Sequence, residues 1–320
     1  MVAHWLAELD GRRVSVEVPA SAANLGAGYD CLGVALALTN KVEVEVRGWS
    51  RGEIELTVDG EGQDELTEDR DNRFVRGVEA ALRAARGELP DGVGWRIEMH
   101  NSIPLARGLG SSAAATVGGL LAGNALLGDP LSSAEILRLA TDIEGHPDNA
   151  AAVLLGGFVV SAATGHGVEA IRFDAPRDLR AVLFIPDLRL PTGEMRGVLP
   201  KTVPFEDAAA NLAAVAIGVA GLAKGRFDLL SRLTVDRLHE PYRAATYPAL
   251  PQLVEAARDA GAIGACLSGA GSTILAFADS LTAISRIEGA FAAAAADTDL
   301  TGRVLVVAPR NAGAKVKPKG

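Results

Sequence analysis

The chain predicts a two-domain α+β protein, and three observations carry that prediction. Its 320 residues suffice for one large or two medium domains with a sizeable core. The first half alternates segments of strand and helix period, while the second reads as strands, a run of helices, then strand, strand, helix and strand. That second pattern suits a sandwich of helices on an antiparallel sheet. A composition shift near 162–168 marks the expected boundary between an N-terminal domain at 1–162 and a C-terminal domain at 163–310. Residues 311–320, with Lys315, Lys317 and Lys319 among Gly, Pro and Ala, read as a flexible basic tail.

Residues 13–18 alternate, with Val14, Val16 and Val18 on one face, as a half-buried strand does. A long loop follows at 19–33, holding Ser21, Asn24 and Asp30 among small residues and Gly26, Gly28 and Gly33. A loop so poor in charge is expected to be buried, where an Asn or Asp needs a partner or a ligand. Capping of turns would serve Asn24 and Asp30 equally well. Strands at 41–47 and 53–58 read as a hairpin joined through 48–52. Over 72–86, Phe74, Val75, Val78, Ala81, Leu82 and Ala85 recur at helical spacing, with Asp71 or Asn72 as the cap. At 93–100 the alternation returns, with Trp95, Ile97 and Met99 on one face.

The most informative stretch comes next: Gly108-Leu109-Gly110-Ser111-Ser112-Ala113-Ala114, opening a helix without charge to Leu127. Glycines let backbone approach a ligand, and Ser111 or Ser112 can cap the helix. The helix start presents unpaired N–H groups and the positive end of the dipole, which together bind phosphate. A plain capped strand-to-helix turn would share these features. No Gly-Lys-Ser/Thr occurs, so this is not a Walker A loop. Nor is it a dinucleotide fingerprint, because Gly128-Asp129-Pro130 reads as a turn and not an acidic strand tip.

A second helix at 132–143 runs into Glu144-Gly145-His146-Pro147-Asp148-Asn149, where Gly145 and Pro147 stop it. Asp148 or Asn149 can then cap a helix near 150–155. Glu144 could face a metal-bound phosphate or simply be a solvated helix end, and His146 is set aside as structural. Strands follow at 158–161, 168–173 and 180–186, then a short helix holding Thr192 and Arg196. Helices are expected at 204–224, 226–239 and 248–260. Arg243 falls in the break Glu240-Pro241-Tyr242-Arg243, where an arginine is ordinarily just solvated. Strands at 262–267 and 273–277 flank Ser268-Gly269-Ala270-Gly271, either a hairpin turn or a close approach of backbone to ligand. A helix near 281–295 and a strand at 303–308 complete the chain.

A net charge of −9 argues against nucleic acid as a partner. The apolar run near 203–223 carries Glu206, Asp207 and Asn211 at its start and Lys224 at its end, so a buried or interface helix is expected, and no membrane span. The N-terminus lacks the basic-then-apolar pattern of a secretion signal, which predicts a cytoplasmic protein. Cys31 and Cys266, without Cys-x-x-Cys spacing, read as reduced core residues and not metal ligands.

The three glycine-rich loops at 19–33, 104–116 and 268–273 resemble, in order and content, the motifs of the GHMP small-molecule kinase superfamily. Nearly the whole chain resembles its homoserine kinase family. The first loop, the run Glu144 to Asn149, Thr192-x-x-x-Arg196 and Glu240-Pro241-x-Arg243 carry that finer likeness. Ala27, Tyr29 and Ser272 stand where that family usually has Pro, Phe and often Pro, and Ala150-Ala151-Ala152 replaces Val-Ala-Pro. None of these departures removes a polar group.

The resemblance implies an N-terminal domain like ribosomal S5 domain 2 and a ferredoxin-like C-terminal sandwich. It implies ATP-dependent phosphorylation of the L-homoserine hydroxyl, giving O-phospho-L-homoserine for threonine biosynthesis, in a homodimer. Pro104, Leu105, Ala106, Arg107, Gly108, Leu109, Gly110, Ser111, Ser112, Ala113 and Ala114 would wrap the ATP phosphates, with Asn72 at the nucleoside. Ser112 and Glu144 would hold Mg²⁺. Arg196 and Arg243 would take the homoserine carboxylate and Asp30 the ammonium, with Thr192 also at the substrate. Asn24 and Asn149 would orient the substrate, and Asp148 is the candidate base. Two competitors are a mevalonate- or shikimate-type kinase, in which Asp30 would lack an amine to face, and a non-catalytic sensor, which could lose Ser112 and Glu144 freely.

Overall fold

The computed structural model describes residues 5, 8–47, 52–89, 92–165 and 167–319. Two sheets carry the fold. The first has seven strands: β1 (Arg13–Ala23), β2 (Leu32–Val46), β3 (Ile54–Gly60), β4 (Trp95–Asn101), β5 (Phe158–Thr164), β6 (Gly167–Phe173) and β11 (Lys315–Lys319). Its main path is β11-β1-β2-β4-β3, with β5 on the start of β2 and β6 beside β5. The second sheet is antiparallel, ordered β10-β7-β9-β8, from β7 (Arg180–Pro186), β8 (Gly264–Leu267), β9 (Ile274–Ala278) and β10 (Gly302–Val307).

Helices α1 (Arg73–Arg86), α2 (Ser111–Leu126), α3 (Ser133–Glu144) and α4 (Asp148–Leu155) pack around the first sheet. The small residues of α2 have a direct reason. A Cβ on Gly119 would lie 2.1 Å from the Phe74 carbonyl oxygen, so α1 and α2 meet backbone to backbone. In the second domain, α9 (Leu250–Asp259) and α10 (Leu281–Asp297) cover one face of the sheet, where Val182, Phe184 and Ala276 meet Leu253, Ile287 and Phe291. The alternate residues Ala181, Leu183, Leu275 and Phe277 point the other way, as the strand period requires. They enter a core shared with Leu32, Val34 and Phe158 of the first domain. The two domains are thus packed on each other, which fixes the cleft between them.

Several elements differ from the sequence expectation. Residues 19–23 are not loop: β1 continues through them, paired with β2 past an irregularity at Pro19/Ala20. Burial on both faces lets these small residues form strand without an alternating pattern. The hairpin expected through 48–52 falls largely on residues 48–51, outside the described residues, but its two strands do not pair. β4 lies between them, and β3 runs parallel to it. Gly110 in the left-handed conformation, not Ser111 or Ser112, caps α2. Pro147, not Asp148 or Asn149, precedes α4. The helix expected at 226–239 is broken into a 3-10 turn at Phe227–Leu229 and α7 (Leu230–Leu233), then a turn closed by Asp236.

Two corrections concern domain organisation. β6 forms a hairpin with β5, so the chain leaves the first sheet after Phe173 and not at 162. The last residues are a strand and not a frayed tail. Residues 315–319 pair along β1, and Lys315 and Lys317 alternate with Val316, a pattern suited to a sheet edge, where lysines discourage further pairing. α6 (Phe205–Lys224) is the one described helix long and apolar enough to cross a membrane. It rests on Leu233 and Leu229 through Gly218 and Gly221 and leaves Phe205, Leu212 and Ile217 exposed.

Candidate active site

The glycine loop lies at the floor of the cleft and is built by close backbone packing. Ala106, Gly108 and Gly110 all have positive φ. A Cβ on Gly108 would meet the Ser268 carbonyl oxygen at 2.1 Å, and one on Gly110 the Ser21 hydroxyl at 2.0 Å. Ser21 N–H donates to Leu109 O, Thr273 N–H to Arg107 O, and the Ser268 hydroxyl to Gly108 O. The three glycine-rich segments of the sequence are therefore one structure, with the loop at 104–114 clasped between the other two.

Within that loop the side chains divide. Pro104, Ala106, Gly108, Gly110, Ser111, Ser112 and Ala113 line the cleft, Leu109 touches it from the core, and Ala114 is fully buried. Leu105 faces a neighbouring cavity with Asn72, Leu66 and Met99. Asn72 caps α1, accepting from Phe74 N–H while donating to Thr67 O. Arg107 lines the cleft, but its guanidinium donates to the carbonyls of Pro186 and Asp187, tying the loop to the second domain.

Ser112 and Glu144, distant in sequence, meet. The Ser112 hydroxyl lies 2.7 Å and 3.0 Å from the two Glu144 carboxylate oxygens, and Thr116 donates to the same carboxylate at 2.6 Å. A hydroxyl and a carboxylate beside helix N–H groups form a hard-oxygen set that suits Mg²⁺. A second group, Asp30, His146 and Asp148, brings one potential ligand atom each within 4.8 Å. Imidazole nitrogen suits Mg²⁺ poorly, and all three groups are already paired.

At the other end of the cleft, Asp30 accepts two hydrogen bonds from Arg196, and the Tyr29 hydroxyl accepts a third. The Asp30 carboxylate holds the Arg196 guanidinium pKa above its ordinary value. Arg243 is not solvated, as its place in a helix break suggested. It belongs to α8 (Glu240–Arg243) and is 1% exposed. Its donors reach Met195 O, Gly269 O and the His239 ring nitrogen Nδ1, all neutral acceptors. Nε2 of His239 faces the Gly26 carbonyl at 2.8 Å and must donate to it, which leaves Nδ1 to accept from Arg243. Burial pulls the His239 pKa well below its ordinary range and keeps the ring neutral. No described carboxylate pairs with Arg243, so its buried charge is met by neutral acceptors alone.

Asn24 turns both ends of its amide to structure: Nδ2 donates to Gly269 O and Oδ1 accepts from Asp30 N–H. Asn149 accepts from Ser21 and adjoins Asp148. Asp148 is 1% exposed and accepts from Asn149 N–H, with His146 Nδ1 at 2.8 Å. His146, set aside in the sequence, lines the cleft. Burial depresses its pKa, but the hydrogen bond and charge of Asp148 outweigh this and raise it. Thr192 opens α5 (Thr192–Gly197) beside both cavities. Sequence reasoning also missed Arg73, Thr116 and Tyr29, because each gains its neighbours only through the fold.

Fold and cleft together define a small-molecule kinase of the GHMP class. The model of the GHMP kinases N terminal domain matches residues 72–157, and that of the GHMP kinases C terminal matches 219–297. The chain belongs to the homoserine kinase family, phosphotransferases with an alcohol group as acceptor. It is 44% identical over 301 residues to a homoserine kinase of Moorella thermoacetica, covering 94% of this chain and 99% of that one. A crystal structure of homoserine kinase from Cytophaga hutchinsonii superposes with a TM-score of 0.84 at 30% identity, covering 95% of this chain and 97% of that one. Lactococcus lactis galactokinase, complexed with galactose, shares the fold at a TM-score of 0.68 and 15% identity, covering 95% of each chain.

Proposed function

We propose that the cleft transfers the γ-phosphoryl group of ATP to the side-chain hydroxyl of L-homoserine, giving O-phospho-L-homoserine and ADP. One observation carries the reading: a buried, unneutralised Arg243 and a carboxylate, Asp30, line the same cleft as the glycine loop. Homoserine offers an α-carboxylate for the first and an α-ammonium for the second. A mevalonate- or shikimate-type acid would leave Asp30 with Arg196 alone and no substrate amine to face. Asp30 and Arg196 pair with each other, and a zwitterion can satisfy both at once. Guanidinium–carboxylate pairing is bidentate and directional, which fixes the far end of the substrate.

The nucleoside occupies the cavity beside Asn72, and the phosphates lie along residues 104–114 under the N-terminus of α2. Ser112 and Glu144 hold Mg²⁺, which neutralises phosphate charge when bound. Transfer of this kind rests on positioning and charge stabilisation, which a cleft fixed by two packed domains supplies. Asp148, beside Asn149 at the start of α4, is the group assigned to receive the hydroxyl proton.

The chain acts in the cytoplasm as a homodimer, and the exposed Phe205, Leu212 and Ile217 of α6 support a partner surface. Sedimentation equilibrium should give twice the chain mass, and a monomer at micromolar concentration would refute this. The activity is tested by substrate choice: homoserine should support turnover where mevalonate and shikimate do not. Turnover of either acid in preference to homoserine would overturn the assignment.

A further inference from the structure

Arg73 stands where two cavities meet. One is the cleft with the glycine loop and Glu144, and the other adjoins Asn72 and Met99. The residues lining both are Arg73, Ala106, Ser111, Ser112 and Thr192. A nucleotide with its base in one cavity and its terminal phosphate in the other must pass its phosphate chain through this ring. Arg73 is the cation among those five. The loop itself contributes no lysine, and the guanidinium of Arg107 is tied to the backbone of the second domain.

The position of Arg73 in its helix is an independent sign. It is the first residue of α1, where the helix dipole disfavours positive charge, and no acid in the first turn offsets it. The charge is met not by its own helix but by Glu144, which lines the cleft, so the fold and not the local sequence holds this cation in place. Its side chain is loosely held and 45% exposed, with Nη1 3.5 Å from Glu144 Oε1 and 3.4 Å from Ile143 O.

We propose that Arg73 is a catalytic residue that binds the ATP phosphates, supplying the positive charge that the lysine-free loop lacks. The proposal rests on the ATP-binding part of the reading above and not on the identity of the acceptor. Calorimetric binding of ADP and of adenosine to the full chain, with and without Arg73→Gln and Arg73→Lys, tests it without turnover. The Gln variant should weaken ADP about 10-fold, the worth of one hydrogen bond between charged partners. Adenosine affinity should stay within about two-fold, and Arg73→Lys should recover most of the loss. Equal weakening of adenosine and ADP would show that Arg73 only shapes the nucleoside cavity, and unchanged ADP affinity would place it away from the phosphates. Either result overturns the proposal, whereas failure of the unaltered chain to phosphorylate homoserine would overturn the function and leave this binding test intact.

Discussion

Arg243 and Asp148 are both 1% exposed, yet one is a cation without a carboxylate partner and the other an acid amid hydrogen bonds. Truncating one partner of a buried, hydrogen-bonded charge pair costs about 2–5 kcal/mol. Arg243→Ala should therefore raise KM for homoserine about 100-fold, with ATP affinity nearly unchanged. The half-exposed Arg196 should show a smaller rise. Equal losses for ATP and homoserine would contradict the carboxylate assignment. Asp148→Asn should lower kcat by about 100-fold or more if it takes the proton. Near-full turnover would remove it from that role. Arg243 was visible in the sequence only as part of a motif, because nothing local signals burial. Its acceptors come from residues 195, 239 and 269, which only the fold assembles.

At the scale of elements, the glycine loop was the most legible feature and the strands flanking it the least. Gly108 and Gly110 have positive φ and no room for a side chain, so the spacing of glycines reported backbone geometry directly. Gly108→Ala or Gly110→Ala should lower kcat/KM for ATP by at least about 10-fold, measured beside the thermal midpoint to separate misfolding from loop distortion. Unaltered ATP kinetics in both variants would mean that the loop does not approach the phosphates. Burial hid the rest of β1, since residues 19–23 are covered on both faces and lack the alternation that reveals a half-buried strand. β11 was hidden for the opposite reason, its lysines and proline imitating a solvated tail. It pairs with β1, and Asn311 before it exchanges two hydrogen bonds with Ala175. Deleting residues 311–320 should therefore lower the thermal midpoint by several degrees, and an unchanged midpoint would show that the strand contributes nothing.

Across the whole molecule, the second sheet acts as a brace as well as a domain. One of its faces enters the core shared with the first domain, and Ser268 and Thr273, in the turn between β8 and β9, hold the glycine loop. Glu240, at the start of α8, links Arg243 to that sheet by accepting from Leu267 N–H. Burial pushes its pKa up to about 8 from an ordinary 4.5. A carboxyl raised on folding favours the protonated native state, so its contribution is full below about 4.5 and is lost as pH rises through about 8. Thermal stability should accordingly fall between about pH 4.5 and 8, and Glu240→Gln should flatten that fall, as scanning calorimetry would show. An identical slope in the variant would place the carboxyl in water. Domain architecture was legible in the order of segments, whereas the exact crossover was not, because a hairpin such as β5–β6 crosses a composition shift without a break.

The proposed cleft takes both the carboxylate and the ammonium of an amino-acid zwitterion beside the glycine loop. The direct test follows ADP release and phosphorus resonance with L-homoserine, mevalonate and shikimate in turn, each with ATP and Mg²⁺. O-phospho-L-homoserine and stoichiometric ADP should form from homoserine alone. No turnover of homoserine, or faster turnover of an acid without an amine, would contradict it.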